Sequence, residues 1–134
     1  MAAANGLSVF PYSPAAGGLL SGKYAEKGAQ GRLATNKMYQ TRYGEPWAHE
    51  TAAGFAAFCR ERNLHPMSAA VAWVGAHPAV TAPIIGARNV EQLRASLDAV
   101  KIDMTPELRA QISALSRTPP PATDRLEELT RPAG

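Results

Sequence analysis

A parallel α/β arrangement is what this sequence predicts, and three observations predict it. Two apolar runs rich in β-formers, residues 6–12 (GLSVFPY) and 79–86 (AVTAPIIG), read as strands buried on both faces. Helical patterns separate and follow them, which is the alternation of a parallel sheet with helices outside. Each run ends in a glycine-containing loop, where such folds collect their functional groups.

The first strand stops at "SP", and Gly17, Gly18 and Gly22 crowd around two leucines just beyond it. From there to Trp47 the chain is polar and weakly periodic, and it reads as a long functional loop. Apolar residues Ala52, Phe55, Ala56, Phe58 and Cys59 then recur at helical spacing, predicting a helix over 48–62 with Asn63 as its stop. Pro66 opens a second helix, MSAAVAWVGAH, apolar nearly all round and ended by Pro78.

After the second strand, Asn89 reads as the N-cap of VEQLRASLDAV, with Glu91 favouring the helix dipole. Thr105, Pro106 and Glu107 form a compact start signal for a last helix running to about Ser116. Residues 119–134 are proline-rich and apolar-poor and read as a tail, beyond a domain spanning 1–118. Two buried-type strands cannot make a self-sufficient sheet, so the chain is expected to be a piece of something larger.

The 134 residues suffice for one domain, and 46% hydrophobic against 19% charged residues is a globular balance, not a disordered one. Net charge is +3, but the arginines are spread from Arg32 to Arg131 without the clustered face that nucleic acid requires. Cys59 is the single cysteine, which excludes an internal disulfide and fits a reducing cytosol. The N-terminus lacks a leader pattern, and no stretch approaches the roughly 18 apolar residues of a membrane span. A cytoplasmic protein with neither nucleic-acid nor membrane partners is expected.

Two segments carry candidate chemistry. Residues 13–18 offer backbone N–H groups with little side-chain bulk, which suits a pyrophosphate and equally suits an ordinary turn. Around the second loop, Gly86 permits a turn, and Arg88 lies just before a helix N-terminus, where dipole and guanidinium together attract an anion. Gln92 lies about a turn further on, free either to reach a base or ribose edge or to stay solvated. Tyr12 reads as a core aromatic or as a flat platform at the strand end. His49, His65 and His77 show no metal-like spacing with Cys59 or the carboxylates, and no serine sits in a nucleophile elbow, so no metal ligand is nominated.

Taken together, FPYSPAAGGLLSGKY, GRLATNKMYQTRY and AVAWVGAHPAVTAPIIGARNVEQL closely resemble the C-terminal part of an aldo-keto reductase, from about Asn5 to Leu115. The resemblance implies a C-terminal fragment of a (β/α)8 TIM barrel, about two βα units plus a C-terminal helix. It also implies an oxidoreductase portion that binds NADP(H), in a family that reduces aldehydes and ketones by hydride transfer. By it, Tyr12 stacks on the nicotinamide, Ser13, Pro14, Ala15 and Gly17 line the pyrophosphate path, and Lys23 and Arg32 hold phosphate. Gly86, Arg88 and Gln92 wrap the adenosine end, with Arg88 at the 2′-phosphate.

Two positions depart from the family pattern. Ala15 stands where a leucine is usual, and Ser96 where an asparagine faces adenine, each loss worth about 1 to 2 kcal/mol of cofactor binding. The family's Asp, Tyr, Lys and His tetrad has no counterpart segment here, so no catalytic residue is nominated. The expectations are therefore a truncated or split reductase whose carbonyl substrate needs a complementing first-half chain or a homo-oligomer. A non-catalytic dinucleotide-binding or regulatory module, and an inactive relic, are the alternatives.

Overall fold

The computed structural model describes residues 2–25 and 35–118. Helices α1 (Lys37–Tyr43), α2 (Pro46–Glu61), α3 (Pro66–Gly75), α4 (Val90–Leu97) and α5 (Pro106–Ser113) carry the fold. Short 3-10 turns at Ala16–Ser21 and Asp98–Lys101 link them. The predicted tail at 119–134 lies outside the described residues.

Helix ends follow local chemistry closely. Asn89 Oδ1 accepts from the Gln92 amide at 2.9 Å, and Thr105 Oγ1 from the Leu108 amide at 3.2 Å, so both predicted N-caps form. Helix α2 closes with Asn63 at φ 55, where the Leu64 amide reaches the Cys59 carbonyl at 2.9 Å and the Asn63 amide the Arg60 carbonyl at 3.2 Å. This paired closure, with asparagine in the left-handed position, explains why Asn63 stops the helix.

Four helix predictions shift at their ends, and the one read as running to His77 stops at Gly75. Helix α2 starts at Pro46, because proline is preorganised for a first turn. The pattern after Asn89 is α-helical only to Leu97 and tightens into the 3-10 turn. Helix α5 ends at Ser113, and Leu115 and Ser116 make turn bonds instead.

The two predicted strands require a larger correction. Among the described residues no strand ladder forms; residues 7–12 and 80–85 run alongside each other with one parallel bridge, Tyr12 to Ile84. The Val9 and Pro11 carbonyls, two residues apart, receive the Thr81 and Ile84 amides, three apart, both at 2.8 Å. One extra residue on the second segment breaks the register, as in a bulge. Pro11 and Pro83 have no N–H to continue a ladder, and Thr81 Oγ1, not a carbonyl, takes the Val9 amide at 3.0 Å. Nor are the segments buried on both faces: Leu7 is 60% exposed and Phe10 and Ile84 are 54% exposed.

The core lies among the helices. Phe55, Phe58 and Cys59 of α2 pack with Ala69 and Ala70 of α3 and Ile112 of α5, and Ala15 joins them. The alanines let helix backbones approach, and each buried phenylalanine contributes about 1.5 to 3 kcal/mol. Leu19, Ala48 and Ala52 form a second cluster, flanked by Tyr39 and Tyr43. Ser68 is buried within α3 and donates to the Ala95 carbonyl at 2.5 Å, tying α3 to α4.

Candidate functional site: a basic groove at the ends of the paired segments

Where residues 7–12 and 80–85 end, the chain opens a groove of about 340 Å³. One wall is Tyr12 to Ala15, Gly17, Gly18, Ser21 and Lys23; the other is Ile84 to Gly86, Arg88, Gln92 and Ser96. Met67 and Val71, one turn apart on α3, also line it. All ten predicted site residues that are described therefore meet on one surface, and Arg32 lies outside the described residues. Ser21, Met67, Val71, Ile84 and Ile85 are the lining residues the sequence reasoning missed, Gly18 having been covered by the reading of residues 13–18. Gly18 and Ser21 lie inside the glycine-rich segment already singled out, and an i, i+4 pair on α3 was the available signal for Met67 and Val71.

The first wall is built from left-handed backbone. Ser13 (φ 57) and Ala16 (φ 51) hold that conformation beside Gly17 (φ 66) and Gly18 (φ 97). Two turn bonds brace them: the Ala16 amide donates to the Ser13 carbonyl and the Gly18 amide to the Ala15 carbonyl, each at 2.9 Å. Ser21 Oγ adds a bond to the Gly18 carbonyl at 2.7 Å. A non-glycine residue at positive φ costs energy and is sustained only where the surroundings impose it.

Glycine is required at 17 for a second reason, since a Cβ there would enter the ring of Tyr39 from α1. At Gly18 a Cβ would lie 3.9 Å from Lys23 Nζ, so the ammonium rests against bare backbone. Lys23 also sits 4.8 Å from the centre of the Tyr24 ring.

The second wall is organised by the start of α4. Asn89 caps the helix, and Gln92 Oε1 reaches back to accept the Arg88 amide at 3.1 Å. This reciprocal arrangement fixes the backbone of Arg88 and leaves the Gln92 NH₂ as its remaining polar group. Ser96 is buried, and its hydroxyl donates to the Gln92 carbonyl at 3.1 Å within the helix. Its capacity to donate elsewhere is therefore taken up.

Tyr12 is 67% exposed, which overturns the reading of it as a core aromatic. Its hydroxyl and that of Tyr43 face the Arg42 guanidinium and push that group's pKa further up, Tyr12 acting most strongly. Lys23 and Arg88 are the charged residues of the lining, and no carboxylate is among it. With a helix N-terminus beside Arg88, the groove has the electrostatics of an anion site. Among the described residues, no cluster of three metal-ligating side chains occurs, and no helix is long and apolar enough to cross a membrane.

The comparisons agree with one another. The chain is 39% identical over 103 residues to "Uncharacterized oxidoreductase YrpG" of Bacillus subtilis, covering 77% of this chain and 30% of that protein. It is 28% identical over 112 residues to "Protein tas" of Escherichia coli, covering 82% and 32%. With an "Aldo-keto reductase" of Babesia bovis it shares 30% identity over 96 residues, covering 69% and 34%. The chain thus spans about a third of the length of these relatives. The family description "Aldo/keto reductase family" matches residues 1–117, and on that match the chain belongs to the aldo/keto reductase family.

Proposed function

We propose that the groove binds NADP(H) and that this chain is the cofactor-holding C-terminal portion of a cytoplasmic reductase of aldehydes and ketones. The family generally uses NAD(P)H, and the observation that carries the finer reading is convergence. Ten residues chosen from two distant sequence motifs, from Tyr12 to Lys23 and from Gly86 to Ser96, line one groove. The groove also suits the group chemically, with two cations, no lining carboxylate, and bare backbone at Gly18.

In this reading Arg88 meets the 2′-phosphate with its fork of donors, steadied by the Gln92 bond to its amide. Lys23 and the left-handed segment at Ser13 to Gly18 receive the pyrophosphate, where glycine permits close approach. Tyr12 offers its exposed ring to the nicotinamide, and the Gln92 NH₂ faces the adenosine end. The bound cofactor supplies the hydride; the proton donor for the carbonyl oxygen is not among the nominated residues. Turnover therefore requires a first-half barrel that supplies the proton donor.

A second reading, a non-catalytic dinucleotide-binding module, rests on the same groove without a nominated proton donor. Fluorescence titration with NADPH and NADH tests the shared premise: NADPH is expected to bind more tightly, and no binding of either removes both readings. Co-expression with a first-half barrel separates them, since carbonyl-dependent NADPH oxidation by the complex supports the reductase portion and its absence supports the module.

A further inference from the structure

Helix α4 and the Asp98–Lys101 turn that extends it carry an apolar face that the described residues leave uncovered. Val90, Leu93, Leu97 and Val100 follow one another at spacings of three and four, which places them in one stripe. Side chains three apart eclipse in a 3-10 turn, and this keeps Val100 in line with Leu97. All four are exposed, between 40% and 88%. The other side of the same segment is occupied: Ser96 and Ala99 are buried, and the Ala95 carbonyl accepts from the Ser68 hydroxyl of α3.

A charged stripe runs beside the apolar one. Glu91, Arg94, Asp98 and Lys101 each follow one of the four apolar residues, and all are exposed. Their signs alternate along the chain, negative, positive, negative, positive. Read from the opposite end, the order is positive, negative, positive, negative. A second copy laid antiparallel therefore sets Glu91 opposite Lys101 and Arg94 opposite Asp98, whereas a parallel copy sets like charge against like. Asp98 holds Lys101 of its own chain at 2.7 Å, and a carboxylate can accept from that ammonium and from the partner's Arg94 together.

We propose that this face is a self-recognition surface, on which a second copy of the chain docks antiparallel about a two-fold axis. The alternating charges choose the occupant and its direction, since they complement their own reversed order. The stripe covers twelve residues, a segment about 20 Å long with four apolar side chains from each copy. That is less than a standard interface, so the dimer forms reversibly and with concentration. Gln92 and Ser96 of the same helix line the groove, and the pairing sets two grooves on either side of one axis.

Sedimentation velocity on the full-length chain, from about 1 µM to about 500 µM, reads the association directly. A monomer–dimer equilibrium is expected, and Leu97→Gln is expected to weaken it by about tenfold or more. Arg94→Asp places carboxylates opposite each other at both ends of the two-fold contact and is expected to cost as much. Combining it with Asp98→Arg restores opposite charges across the axis, and the dimer is expected to return to within about threefold of its original strength. Circular dichroism checks that each variant is folded. Should Leu97→Gln not fold, the charge series, made at exposed positions, decides alone. A chain that stays monomeric throughout overturns the proposal, as does a dimer indifferent to Arg94→Asp or one that the double substitution fails to recover. A chain that is monomeric alone and associates only with a first-half barrel overturns the second copy as occupant. No cofactor enters these measurements, so their outcome is independent of the dinucleotide reading.

Discussion

The ring of Tyr39 occupies the space that a side chain on Gly17 would need. That contact joins α1 to the left-handed wall of the groove, and it makes Gly17 doubly constrained, by φ 66 and by the aromatic ring. Gly17→Ala is expected to destabilise the chain by about 1 to 3 kcal/mol. Adding Tyr39→Ala should recover the steric part only. Chemical denaturation of the two variants measures the split.

Arg88→Ala is expected to weaken NADPH binding by about tenfold or more while changing NADH binding little. The reasoning is that a guanidinium positioned for a 2′-phosphate has no such partner on NADH. Parallel titrations check it, and equal losses for both dinucleotides would remove the assignment.

Gln92→Glu separates the cap from the ligand role. A glutamate keeps an acceptor for the Arg88 amide and suits the first turn, so stability should stay within about 0.5 kcal/mol. NADPH affinity should nonetheless fall severalfold, because the substitution places negative charge in a groove lined by Lys23 and Arg88. Asn89→Ala is expected to do the reverse first, costing about 1 kcal/mol of stability through the lost cap. Thermal melting alongside titration distinguishes the two effects.

Cys59 has no exposed surface, and burial pushes its thiol up to about 11, with Arg62 pulling slightly the other way. It should resist aromatic disulfide reagents at pH 8 until the chain unfolds. Because the folded state holds the proton more firmly, its contribution to stability is complete below the ordinary thiol range. It is lost as the pH climbs through about 11. Relative to Cys59→Ala, the unsubstituted chain should therefore lose more melting temperature between pH 8 and pH 11.

Helix boundaries were readable because they depend on near neighbours. Thr105 before Pro106, Asn89 before Val90 and Asn63 after Arg62 each act within four residues. The groove was legible through the chemistry of Arg88, the glycines at 17 and 18, and a family resemblance that named the rest. What escaped depends on distant partners. The strand prediction for residues 6–12 and 79–86 rested on apolar character, but a ladder needs matching register and neighbours. The extra residue between Thr81 and Ile84 and the two prolines deny it the first. Helix α1 was read as loop because its seven residues bury none fully, although Asn36 accepts the Met38 amide as an N-cap. The bond from the Arg88 amide to Gln92 turns an apparently solvated side chain into a brace, and spacing alone did not distinguish the two.

Within the segment from Ser13 to Gly18, the positive φ at Ser13, Ala16, Gly17 and Gly18 leaves Pro14 and Ala15 as the residues outside the left-handed region. Substitution at the other four positions disturbs a conformation before it disturbs any contact. Adaptation of this segment to a different ligand is thereby steered toward Pro14 and Ala15, and Ala15 is 6% exposed and answers to Phe55 and its neighbours in the core. The groove's chemistry and the core's packing evolve through the same side chain, and a change in one is a change in the other.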